Sequence, residues 1–187
     1  MNNKTSKIIT KVIFIILFLS LCCVTALAQS HPTINDTLNS HQIFPDNRVT
    51  FRIYAPQAKS VELYGTDIPE VGQGIKMNQT EQGIWRVTVG PLQPGAYRYL
   101  FNVDGVSVVD PRNSITSESN MNCWSLVYIP GSDFMDVKAV PHGMVSELTY
   151  YSETLEKFRR MHIYTPPIYM ECKQKYPILY LLHGAWD

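Results

Sequence analysis

Apolar and polar residues alternate in short runs from Arg48 to Ile129, and turn-forming residues close each run. Val49, Phe51 and Ile53 fall on one face, Thr50, Arg52 and Tyr54 on the other, and Ala55-Pro56 ends the run. Val61 and Leu63 alternate with Glu62 and Tyr64 as far as Gly65, and Trp85, Val87 and Val89 alternate with Arg86 and Thr88. Gly90-Pro91 and Pro94-Gly95 mark a tight connection to Tyr97, Tyr99, Phe101 and Val103, interleaved with Arg98 and Asn102. Asp104-Gly105 is a strong hairpin signal leading into residues 106–109, which Asp110-Pro111 stops. A last run over residues 123–129 ends at Pro130-Gly131. Period-two alternation with turns at this spacing predicts an antiparallel β-sandwich over residues 45–131.

The flanking segments carry other patterns. Residues 132–140 read as a linker, and Pro141-His142-Gly143 as a turn. Residues 144–152 and 157–165 are strand-like runs around a short polar loop, so they predict a hairpin, which Pro166-Pro167 ends. After Tyr176-Pro177 the residues Ile178, Leu179, Tyr180, Leu181 and Leu182 form an unbroken apolar run before His183-Gly184. Such a run predicts a strand buried on both faces, the kind found in parallel sheets covered by helices. Residues 29–44 are polar and read as a flexible leader. Ahead of them, Lys4, Lys7 and Lys11 precede an apolar stretch over residues 12–24 and an Ala26-Leu27-Ala28 cleavage site. Residues 1–28 are therefore predicted to be a signal peptide cleaved after Ala28, placing the product outside the cell or in a periplasm, with no stable membrane span afterwards.

Composition narrows the function. Loss of residues 1–28 removes three of the 16 basic residues and none of the 16 acidic ones, leaving a net charge of −3 and no basic patch. Nucleic acid is not an expected partner. Two of the four cysteines go with the same segment, so Cys123 and Cys172 are left. One disulfide is permitted, but two isolated thiols in different domains is the favoured reading. No C-x-x-C or histidine cluster suggests a metal, and no cofactor is expected.

The phrases at residues 49–56, 59–65, 83–89 and 95–105, followed by Asp110-Pro111, resemble in this order an early-set immunoglobulin-like module. Such modules stand at the N-terminus of glycogen-branching and debranching enzymes and are related to family 48 carbohydrate-binding modules. The resemblance implies an Ig-like sandwich and a carbohydrate ligand. Trp85, Tyr97 and Tyr99 are then candidates for stacking on sugar rings, and Asn102 for hydrogen bonding to hydroxyls. The alternative, favoured at this spacing, is that Trp85, Tyr97, Tyr99 and Phe101 share one strand face and fill the core. Asp104 and Asp110, beside Gly105 and Pro111, read as turn residues rather than acids.

Residues 141–187 resemble, in order, the opening of a secreted family 1 carbohydrate esterase, the feruloyl and acetyl-xylan esterases of the esterase D-like α/β-hydrolases. The matching phrases are Pro141-His142-Gly143 with Val145-Ser146-Glu147, residues 158–167, and Leu181-Leu182-His183-Gly184. The resemblance implies that 178–184 is the third sheet strand and its oxyanion-hole loop, with His183, Gly184 and Ala185 in that loop and Ala185 offering a backbone N–H. Acyl transfer also needs a nucleophile, a base and a group that orients the base. The chain contains no G-x-S-x-G elbow, and neither Ser146, in Gly143-Met144-Val145-Ser146-Glu147, nor His162 sits in a catalytic motif. The expected architecture is mostly β: an Ig-like sandwich followed by the first three strands of an incomplete α/β-hydrolase sheet. The expected function is that of the N-terminal fragment of an esterase acting on plant cell-wall polysaccharide such as xylan, inactive without its serine, acid and histidine. The alternative is a stand-alone secreted carbohydrate-binding or spacer module.

Overall fold

The computed structural model describes residues 32–118, 122–182 and 184. The predicted signal peptide, and His183 and Ala185 of the predicted oxyanion loop, lie outside the described residues. Chain order is α1 (Ile34–Thr37), β1 (His41–Ile43), β2 (Val49–Tyr54), β3 (Val61–Gly65), β4 (Gly72–Lys76), β5 (Asn78–Gln79) and β6 (Ile84–Val89). There follow β7 (Gly95–Val103), β8 (Val106–Val108), β9 (Thr116–Glu118), β10 (Cys123–Ile129), β11 (Met144–Ser152) and β12 (Lys157–Thr165).

Ten strands make two antiparallel sheets. The smaller has the order β1-β2-β6-β5, and the larger β4-β3-β7-β10-β9 with β8 paired to β7. The pleat sends alternate residues to opposite faces. Phe51, Ile53, Leu63, Tyr99, Phe101, Val127 and Ile129 are buried between the sheets. The Tyr99 ring stands 4.6 Å from Phe51 and 5.7 Å from Phe101, centroid to centroid. Each side chain this size contributes about 1.5–3 kcal/mol by leaving water, so the inward phase of the alternation holds the fold. The expected antiparallel Ig-like sandwich is present.

Three features depart from the sequence pattern. Residues 33–43, predicted to be flexible, are ordered. The Thr33 N–H donates to the Asp36 carboxylate, Arg112 donates to the Asp36 carbonyl, and β1 pairs with β2 at His41↔Phe51. Their order comes from the open backbone edge of β2, where Arg52 N–H bonds the carbonyl of buried Ser40; a polar composition does not register such an edge. Residues 66–83 yield β4 and β5, which glycine-rich and polar residues disguise, while Ile68, Val71 and Met77 plug that end of the core. Finally, the strand expected at 178–182 is not formed. Those residues have irregular backbone and stand 74–89% exposed. A strand needs partners for its N–H and C=O groups, and no described element pairs with this run. The predicted 144–165 hairpin does form, in register from Met144↔Thr165 to Ser152↔Lys157.

Candidate functional site

Of the four residues nominated for sugar contact, two are committed to the interior. Trp85 is 8% exposed, and its indole N–H donates to the Ala55 carbonyl at 2.9 Å. Tyr99 is fully buried; its hydroxyl donates to Asp110 at 2.6 Å and accepts from Asn113 at 3.0 Å. Burial first, and the neighbouring Asp110 carboxylate second, push its phenol far above the usual range. The other two are partly exposed. Tyr97 packs against the core and donates to the Gln93 carbonyl at 2.8 Å. Asn102 uses its side-chain oxygen to accept from Gly105 N–H, shaping the β7–β8 turn.

Asp104 and Asp110 do more than turn the chain. Asp104 accepts from the Lys59 and Ser60 N–H groups, tying the start of β3 to the β7–β8 turn. Asp110 is 2% exposed and gathers Tyr99 OH, Arg112 N–H and, through its own N–H, the Ser125 hydroxyl.

The surface that could receive a ligand lies on the opposite side of the same strands. On the larger sheet the outward residues are Glu62 and Tyr64 of β3, Arg98, Leu100 and Asn102 of β7, and Trp124, Leu126 and Tyr128 of β10, all partly exposed. Tyr64 is level with Leu100. One step beyond the Ser125↔Tyr99 pair, Trp124 is level with Leu100 from the other side. Two strand spacings separate the two aromatic side chains, about 9.5 Å. The Tyr64 ring lies over Gly74, where a Cβ would stand 2.7 Å from the ring; only glycine leaves room for it. Polar groups fringe the row. Arg98 forms a two-pronged pair with Asp67 at 2.7 and 3.1 Å, and its guanidinium holds the Asp67 carboxyl below the usual carboxylate range. Tyr128 donates to Asp136, which pushes its phenol up to about 12.

Aromatic rings flanking an aliphatic side chain, rimmed by amide and charged groups, can stack on sugar rings and bond hydroxyls. The signal of this face was in the sequence: Tyr64, Leu100, Trp124, Leu126 and Tyr128 occupy the outward phase, where polar residues are expected.

The hairpin brings no triad together. Glu147 is opposite His162, with 3.3 Å between carboxylate and imidazole, whereas Ser146 is opposite Ile163 on the other face. Gly184 is exposed on irregular backbone. Cys123 and Cys172 are both free thiols. Among the described residues no helix is long and apolar enough to cross a membrane.

Residues 37–129 match the family described as Carbohydrate-binding module 48 (Isoamylase N-terminal domain). The sandwich is a CBM48-like module. The chain is also 30% identical over 166 residues to an endo-1,4-beta-xylanase/feruloyl esterase of Xylanibacter ruminicola, covering 83% of this chain and 21% of that protein. It thus spans about a fifth of that relative's length. Residues 1–129 are about 69% of the 187, so a similarity covering 83% continues past the CBM48-like module into the segment that holds the hairpin. Among solved structures, a putative alpha amylase from Salmonella typhimurium is similar with a TM-score of 0.41 and 26% identity, over 50% of this chain and 15% of that one. The enterobactin esterase FES from Shigella flexneri is similar with a TM-score of 0.46 and 20% identity, over 64% and 41%.

Proposed function

We propose that the chain is the N-terminal region of a secreted carbohydrate esterase that removes feruloyl or acetyl groups from plant polysaccharide such as xylan, with the CBM48-like module gripping the polysaccharide. The observation that carries this reading is the similarity to a xylanase/feruloyl esterase that runs through the module and beyond it. The esterase-like phrases at 141–147, 158–167 and 181–184 support it. In this reading His183, Gly184 and Ala185 belong to an oxyanion-hole loop. The serine, acid and histidine lie outside these 187 residues, and the chain alone does not turn over esters. The polysaccharide is held on the Tyr64–Leu100–Trp124 row rather than by Trp85 or Tyr99.

A spacer role is the second reading, favoured by the burial of Trp85 and Tyr99. Affinity electrophoresis of the full chain in gels cast with arabinoxylan, beside an assay for ferulate release, separates the two. Retardation is expected, with Trp124→Ala weakening it about tenfold or more, as for a central aromatic anchor, and no ferulate is released. Migration unaffected by polysaccharide leaves the spacer; ferulate release by the chain alone refutes the assignment of catalysis to residues outside it.

A further inference from the structure

The outer face of the smaller sheet is chemically unlike the aromatic row. Arg52 on β2 and Arg86 on β6 are cross-strand partners. Arg52 N–H points away from β6, to the Ser40 carbonyl, so with respect to β6 the two arginines form a non-hydrogen-bonded pair, the kind whose side chains stand closest. Their neighbours on this face confirm the close approach, since the Thr50 and Thr88 hydroxyls meet at 2.7 Å. Like charges directly opposite destabilise a sheet. Among the described residues neither arginine is in an ion pair, and the Arg86 guanidinium has no hydrogen bond either. Arg52 keeps one guanidinium nitrogen on Gln42 at 2.8 Å and another on the Asn39 carbonyl at 3.4 Å, which holds its fork in place. The pair lines an open groove of about 600 Å³ whose walls also include Asn78, Gln82, Ile84 and one carboxylate, Glu81, which pairs with neither arginine.

We propose that this groove is a second saccharide site that takes a carboxylate-bearing sugar, a uronate unit of an acidic polysaccharide. A carboxylate between two neighbouring guanidiniums accepts charge-assisted hydrogen bonds from both and offsets their repulsion. The amides of Asn78 and Gln82 suit the hydroxyls of the same sugar, and the openness of the groove lets a polymer run through it. The inference rests on the polysaccharide-binding reading of the module and names the side group the second face selects.

The test is calorimetric titration of the full chain with two xylo-oligosaccharides of equal length, one neutral and one bearing glucuronic acid, and with sodium sulfate as a bare anion. The uronate oligosaccharide is expected to bind about tenfold or more tightly than the neutral one, and to lose that advantage in Arg86→Gln and in 0.5 M salt. Trp124→Ala should weaken the neutral sugar while leaving the carboxylate-dependent gain. Arg86→Gln removes one of two facing like charges from an exposed position, so its thermal midpoint should not fall, and Arg52→Gln serves as the second variant. Equal affinities for the two sugars, with the neutral one bound, overturn this inference and leave the polysaccharide reading standing. Binding of neither sugar overturns both. Displacement of the uronate sugar by sulfate at matching concentrations reduces the groove to an unselective anion site and also overturns it.

Discussion

Replacing Tyr99 by phenylalanine tests whether the buried polar cluster ties β7 and β10 to the 110–113 loop. The ring is retained, so its contacts with Phe51 and Phe101 persist. Only the hydroxyl goes, and with it the 2.6 Å bond to Asp110 and the 3.0 Å bond from Asn113. Asn113 still donates to the Leu126 carbonyl at 2.8 Å, and Asp110 still accepts from Arg112 N–H. The net loss is therefore two hydrogen bonds, one of them to a charged group, with one carboxylate oxygen left in a site that is 2% exposed. Such a change costs about 2–3 kcal/mol, which for a domain of this size lowers the thermal midpoint by about 10–20 °C. Tyr97→Phe is the matched control, because its hydroxyl bonds the Gln93 carbonyl near the surface; it should cost under about 1 kcal/mol. Urea titration followed by the fluorescence of buried Trp85 gives both values. Equal losses in the two variants, or a Tyr99→Phe loss below about 1 kcal/mol, would refute the idea that the Asp110 cluster anchors the 110–113 loop to β7 and β10.

Three further expectations concern pH and backbone. Burial is the larger influence on His41 and lowers its affinity for a proton, against a smaller opposing pull from Asp110; its Nδ1 is buried without a hydrogen-bond partner. The unfolded chain therefore binds the proton more readily, so stability is full above the ordinary value of 6.5 and falls as pH drops below it. Denaturant midpoints between pH 7.5 and 5 should show this slope, and His41→Gln should flatten it. Gly83→Ala should cost more than about 2 kcal/mol in the same titration, since φ is +77° and the new Cβ would stand 2.5 Å from Pro56 Cβ; an unchanged midpoint would show that the 56–83 contact yields easily. Asp67→Asn should cost under about 1 kcal/mol, less in 0.5 M salt, because the Arg98 pair is one-third or more exposed. Arg98 depresses the Asp67 carboxyl, so that contribution is present above the ordinary carboxylate range and disappears as pH falls through the lowered value.

The sandwich strands that could be read off the chain are half-buried pleats, in which a period of two leaves its mark residue by residue. Phe51, Leu63, Tyr99, Phe101 and Val127 are in the phase that alternation assigns them, and the 144–165 hairpin follows its two runs and the loop between them. The candidate sugar face was harder to see, because Tyr64, Leu100 and Trp124 are 24 to 60 residues apart in sequence. They meet only through the β3–β7 and β7–β10 registers. Asp110 shows the same limit: beside Pro111 it looks like any turn aspartate, and only the packing of Tyr99, Ser125 and Asn113 around it makes it a junction.

Local pattern by itself determined which side chains of the legible strands face inward, where their turns fall, and that the sandwich expected over residues 45–131 is antiparallel, since pleat and turn geometry act between near neighbours. Tertiary structure decided the rest. It ordered residues 33–43 through an open strand edge, paired Arg52 with Arg86, and left 178–182 without a strand, because pairing depends on which backbone edges and side chains distant segments bring within reach.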